Sequence, residues 1–103
     1  VIKMHIAVLG GNGKAGSQII QEAQRRGVSV TAIVRNKEKL LLSVPAIEKD
    51  VYALTKQDIK DVDVLVCALG FRQDVSEFSR SMSHLITILT GEKTRLLVVG
   101  GGR

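Results

Sequence analysis

Aromatic residues are scarce in this chain of 103 residues: one Tyr, two Phe and no Trp, 3% of the total. The core must then be aliphatic, and Val, Ile and Leu dominate, as suits parallel strands covered by helices. A single cysteine, Cys67, excludes an internal disulfide, and a reducing, cytoplasmic setting is expected. No apolar run approaches the roughly 20 residues of a bilayer-crossing helix, and nothing resembles a signal peptide, so no membrane is expected as a partner. Repeats, low-complexity tracts and linkers are missing too, and the chain reads as one domain over residues 1–103. The net charge is +5, but the basic residues are dispersed and not interleaved with aromatics, which excludes nucleic acid as the expected partner. A phosphorylated ligand suits such a balance better.

What is present alternates between strand and helix patterns. Met4 to Leu9 is an apolar run ending at glycine and reads as a buried strand. From Lys14 to Arg26, residues Ala15, Gly16, Ile19, Ile20 and Ala23 share one helical face, with Gly27 as the stop. Val28 to Val34 is a β-branched second strand. Asn36 can cap a short helix through Leu42, which Pro45 prevents from continuing. Ala46 to Lys49 reads as a third strand, and Thr55 with Asp58 as a capping box for another short helix. Val62 to Leu69 is the fourth strand. Asp74 and Glu77 cap a helix whose stripe is Val75, Phe78, Met82, Leu85, Ile86 and Leu89, ending at Gly91. Leu96 to Val99 is the fifth strand. Right-handed crossovers between such strands give an α/β, doubly wound parallel sheet of expected order 3-2-1-4-5. Its ligand crevice lies at the carboxyl ends of strands one and four. The chain stops just after strand five, where complete doubly wound domains continue, so an amino-terminal part of a longer domain is expected.

Gly10-Gly11-Asn12-Gly13-Lys14-Ala15-Gly16 is the central motif. Such spacing is weak evidence alone, but here it follows a buried strand and opens a helix, the context that a dinucleotide-binding (Rossmann) loop requires. Gly10 allows the sharp turn off the strand, Gly13 lets the backbone approach a pyrophosphate, and Gly16 lets the helix pack close to the sheet. Amides around Gly13 to Ala15 then point at phosphates, aided by the helix dipole. Asn12 can hold the loop through side-chain hydrogen bonds. A P-loop is excluded, since no Gly-Lys-Ser/Thr follows at the required distance.

Selectivity is read at the end of strand two, where NAD-selective folds place an acid against the ribose 2′-hydroxyl. The run Ala32-Ile33-Val34-Arg35-Asn36-Lys37 has no carboxylate. Arg35 can pair with a 2′-phosphate in a bidentate manner, and Lys37 supplies a second cation, so NADP is favoured over NAD. The bland alternative makes Arg35 a surface residue near a helix start. Asp50, followed by Val51, either accepts from the adenine amine or is a turn aspartate. Ala68, Leu69 and Gly70 are small enough to leave room for ribose and nicotinamide, and Phe71 can pack near the ring.

The runs Ile6–Gly16 (IAVLGGNGKAG), Val30–Asn36 (VTAIVRN), Asp63–Gly70 (DVLVCALG) and Arg95–Gly101 (RLLVVGG) resemble the atypical short-chain dehydrogenase/reductase group. Within it, the resemblance is to bacterial NADH-flavin-reductase-like proteins and NmrA-like NAD(P)-binding proteins. The resemblance implies cofactor contacts from Gly10, Asn12, Gly13, Lys14, Ala15, Arg35, Asp50, Val51 and Ala68 to Gly70. It also implies hydride transfer from NADPH to a flavin or another small acceptor, or else non-catalytic cofactor sensing. A homo-oligomer is left open. The serine found after strand five in relatives is absent here, and no catalytic residue is assigned.

Other residues attract attention without supporting a role. Tyr52 and Lys56 match a Tyr-x-x-x-Lys spacing but precede strand four, on the adenine side, away from where that pair works. Cys67 reads as packing, and His84 and the serines 76, 79, 81 and 83 as exposed helix positions. His5 lies away from the crevice. Two separated histidines and one cysteine make no metal site.

Overall fold

The computed structural model describes residues 4–10, 13–40, 42–68 and 75–99, with the side chains of residues 75, 77 and 78 left aside. The elements in order are β1 (His5–Leu9), α1 (Lys14–Arg25), β2 (Ser29–Val34), a 3-10 turn at Lys37–Lys39, β3 (Ala46–Glu48), a second 3-10 turn at Val51–Ala53, β4 (Val64–Cys67), α2 (Val75–Leu89) and β5 (Arg95–Val98). All neighbouring strands pair in parallel in the order β3-β2-β1-β4-β5. The expected order is therefore the observed one.

Short aliphatic runs make β1, β2 and β4 because both sheet faces are covered there, which removes the need for polar alternation, whereas the edge strand β5 is mostly exposed. Val8, Val30, Ala32, Val34 and Val66 face α1 and meet Ile20 and Ala23. Ala7, Leu9, Ile33, Leu65 and Cys67 face the other way, against Leu54, Ile59, Val62, Leu85 and Ile88. In α1 the residues buried against the sheet are Gly16, Ile20 and Ala23, the face expected from helical periodicity, although Ala15 stays exposed. Among the described residues no helix is long and apolar enough to cross a membrane.

Several local expectations are corrected. The helix expected from Asn36 through Leu42 is only the turn Lys37–Lys39, with Leu40 already extended. Leu40, Leu42, Val44 and Ala46 all pack towards the α1-side core; a spacing of two is that of extended chain, not of a helix. The Thr55/Asp58 box forms, with Asp58 Oδ2 accepting from the Thr55 amide at 2.9 Å and hydroxyl at 3.1 Å. It opens successive i to i+3 turns, not a helix, and these drop Ile59 and then Val62 into the core. In α2 the stripe is rotated: Ser81 is fully buried at 0% exposure while Ile86 is 59% exposed. The Ser81 hydroxyl is satisfied by donating to Tyr52 Oη at 3.3 Å, which lets it replace an apolar residue there. His84 is half-buried, its Nε2 placed 2.9 Å from the Leu54 carbonyl oxygen. Periodicity alone cannot see these partners on the neighbouring segment.

Lys49, just after β3, donates to both oxygens of Asp58 at 2.8 and 3.0 Å. Burial of Asp58 would by itself raise its pKa. The Lys49 ammonium and the Thr55 amide and hydroxyl outweigh it, holding the carboxyl below its ordinary 3.8. A carboxyl with a lower pKa folded than unfolded stabilises the fold above the unfolded value, and this is lost as pH falls through the folded value. Asp58→Asn is therefore expected to cost about 1–3 kcal/mol at pH 7. That difference should shrink below about pH 4. Urea unfolding at pH 7 and pH 3 reads both; an equal loss at the two pH values would contradict the assignment.

Candidate dinucleotide site

Strand β1 delivers the chain to Gly10, which takes φ +80°, a left-handed turn that a Cβ resists. Its N–H donates to Ile33 O on β2 at 3.1 Å, and the N–H of Ala68, just after β4, donates to Leu9 O at 3.0 Å. These bonds hold the ends of three neighbouring strands side by side. Here the winding reverses between β1, which α1 leads towards β2, and β4, which α2 leads towards β5. The crevice expected there is thus bounded by Gly10, Ala68 and the end of β2.

The turn closes as the Gly13 N–H donates to Gly10 O at 3.0 Å, and Ser17 is the first residue to bond back along α1, to Gly13 O at 2.9 Å. Gly13 is the N-cap, yet no side chain caps the helix and no acid lies in its first turn. Among the described residues, nothing accepts from the amides of Lys14, Ala15 and Gly16. Helices ordinarily satisfy such amides with Ser, Thr, Asp or Asn. This one places Lys14 there, a cation at the positive end of the dipole, which is favourable only when an anion also arrives.

Gly13 itself sits at φ −87° and ψ 172°, angles open to any residue. A Cβ added there would meet Gly10 O at 3.4 Å, an ordinary contact. Among the described residues, the packing therefore does not require glycine at 13.

Arg35 follows β2 directly, is exposed, and has no side-chain partner among the described residues. Asn36 caps the next turn, its Oδ1 accepting from the Glu38 amide at 3.0 Å. Lys37 opens that turn with an exposed side chain. Asp50 caps the Val51–Ala53 turn through Oδ1, which accepts from the Tyr52 amide at 3.1 Å; its turn role is thus occupied by one oxygen. Val51 is buried beside it and Ala68 is half-buried. Asn12, Leu69, Gly70 and Phe71 lie outside the described residues.

One residue at this edge is invisible to sequence spacing. Glu48, at the end of β3, is level with Val34 in the parallel register, and its Oε2 accepts from the Lys37 amide at 3.0 Å. Only the β2–β3 pairing brings it to the Arg35–Lys37 turn. The residues set aside have other places in the fold. Lys56 donates to Thr90 O beyond α2 and pairs with Glu92, while Tyr52 accepts from Ser81. His5 is held at the opposite end of the sheet between Ser29 and Thr31. Cys67 is buried. Among the described residues no group of acids, histidines or cysteines suits a metal. An apolar groove of about 450 Å³ lies along the flank of α1, between Ile19, Val28 and Val99, and reaches Ala15 in the first turn of the helix.

The chemistry of this edge suits a diphosphate: amides and cations that have no partner among the described residues lie on the segments that follow β1 and β2. Comparison with known proteins shows the family. YwnB of Bacillus subtilis (strain 168) is 46% identical over 101 residues, 95% of this chain and 47% of that protein. The crystal structure of SP1627 from Streptococcus pneumoniae TIGR4, described as "a putative NADH-flavin reductase", superposes with TM-score 0.84 at 39% identity, over 94% of this chain and 47% of that one. Lmo0794 from Listeria monocytogenes gives TM-score 0.81 at 42% identity, over 94% and 59%. The chain thus spans about half the length of the first two and somewhat more of the third. The model of the NAD(P)H-binding family matches residues 10–102. With the glycine turn, the uncapped helix and the strand order all in place, this chain belongs to the NAD(P)H-binding family.

Proposed function

We propose that this chain forms the cofactor-holding part of an NADPH-dependent oxidoreductase of the flavin-reductase-like type, in the manner of a short-chain dehydrogenase/reductase. The observation that carries the reading is the bare amino end of α1 at the strand-order reversal, fronted by Gly13 and flanked by Lys14. When bound, the dihydronicotinamide supplies a hydride, two electrons with one proton, to a flavin or another small acceptor. The chain's own residues bind and orient. The amides of Lys14, Ala15 and Gly16 meet the diphosphate, Lys14 offsets its charge, and Arg35 with Lys37 meets the 2′-phosphate. The Gly10 turn and Ala68 leave the backbone open towards the ribose and nicotinamide. The NADH-flavin reductase description of SP1627 supports the choice of acceptor.

The test is NADPH consumption with FMN or FAD, run beside a thermal shift with NADP⁺. Turnover supports the reductase. A stabilising shift without turnover supports the second reading, an NADP-sensing regulator, and no response to either ligand overturns both. Selectivity has its own measurement. Arg35→Ala is expected to weaken NADPH by about 10–100-fold, the worth of a bidentate charged pair, with NADH nearly unchanged. Equal loss for both dinucleotides would remove the 2′-phosphate from Arg35.

A further inference from the structure

The turn that carries Arg35 has a fixed anion at its base. Sequence reading finds no carboxylate from Ala32 to Lys37, where an NAD-selective fold would place one. The sheet supplies one from the next strand. Parallel pairing sets Glu48 level with Val34, one residue before Arg35. The hydrogen bond from the Lys37 amide to Glu48 Oε2, 3.0 Å, holds the carboxylate against the turn although the residue is exposed. No cation neutralises it: among the described residues the ion pairs use Glu22, Asp58 and Glu92. Among the described residues Glu48 thus has no cationic side-chain partner, and its Oε1 is without a protein partner.

We propose that Glu48 sets the balance between NADPH and NADH, as the counterpart of Arg35. The proposal rests on the reading above, that Arg35 meets the 2′ position of the adenine ribose. A 2′-phosphate brings close to two negative charges to a turn where Arg35 attracts them and Glu48 repels them. A 2′-hydroxyl brings no charge, does not need Arg35, and finds in Glu48 a carboxylate acceptor on the same turn. The opposed pair makes the site a user of both dinucleotides, with a modest preference for NADPH. Arg35 alone would make it strict. A purely structural Glu48, pinning the turn, predicts something else: its loss would loosen both dinucleotides together.

Glu48→Gln separates the two, because the amide oxygen still accepts from the Lys37 amide while the charge is gone. Dissociation constants for NADPH and NADH are measured by titration, with the melting temperature taken alongside. NADPH is expected to tighten by about three- to tenfold, the effect of a screened charge several ångströms away. NADH should stay the same or weaken, and the gain for NADPH should fade in 0.5 M salt. Glu48→Ala, measured in parallel, also removes the hydrogen bond. Its NADPH-to-NADH ratio should shift in the same direction even if both affinities drop, so a poorly folded variant does not hide the effect. An unchanged ratio in both variants, or a shift towards NADH, overturns the proposal while leaving the cofactor reading intact. Failure of the unsubstituted protein to bind either dinucleotide overturns that reading and the proposal with it.

Discussion

Gly13→Val should abolish useful dinucleotide binding, weakening NADPH and NADH alike by about 100-fold, or roughly 2.7 kcal/mol. The described residues have room for the change: the backbone angles at 13 are ordinary, and among them the nearest atom to an added Cβ is Gly10 O at 3.4 Å. The stability cost is then mainly a poorer N-cap, about 1 kcal/mol or less. Affinity is expected to suffer because a side chain at this position hinders close approach of the backbone to the diphosphate that both cofactors share. Loss of both dinucleotides with little change in melting temperature separates this effect from Arg35, whose removal is selective, and from general unfolding. A Gly13→Val protein that still bound NADPH at its original strength would place the diphosphate elsewhere.

Ile20→Ala carries the largest expected cost to stability. Ile20 is fully buried between α1 and the sheet, among Val8, Val30, Ala32 and Val66. Removing three of its carbons should cost about 2–5 kcal/mol from lost transfer energy plus the cavity left behind. That is a large share of the roughly 5–15 kcal/mol that holds a domain of this size. The consequence reaches function, since α1 is fixed to the sheet by Gly16, Ile20 and Ala23 and its amino end is the proposed anion site. Cofactor that binds only the folded chain should restore part of the loss, about 2.7 kcal/mol at 100 times its dissociation constant. Urea midpoints with and without saturating NADPH read both effects. A cost below about 1 kcal/mol would show that the α1 contact is less well packed than its burial implies.

Much of this was legible in the residues because it depends on local chemistry. The strands were readable as short aliphatic runs, and α1 as residues 16, 20 and 23 recurring on one face. The glycine turn was readable because Gly10 needs a left-handed angle that few other residues accept. The parallel sheet followed from handed crossovers, which are local geometry too, and its order was the one expected of a doubly wound fold. Boundaries shifted where a partner distant in sequence decided them. Leu40, Leu42 and Val44 abandon a helix because the α1-side core rewards alternate residues. Ser81 displaces Ile86 from the buried stripe because Tyr52 waits to bond it.

The sequence by itself determined the doubly wound parallel sheet, the turn from β1 into α1, and the cations beside it, because each follows from the angles, period and charge of neighbouring residues. Tertiary structure alone decided that Glu48 from β3 joins the Arg35 turn and that Lys49 ties to Asp58. These are contacts between segments, and their distances exist only once the strands have been laid side by side.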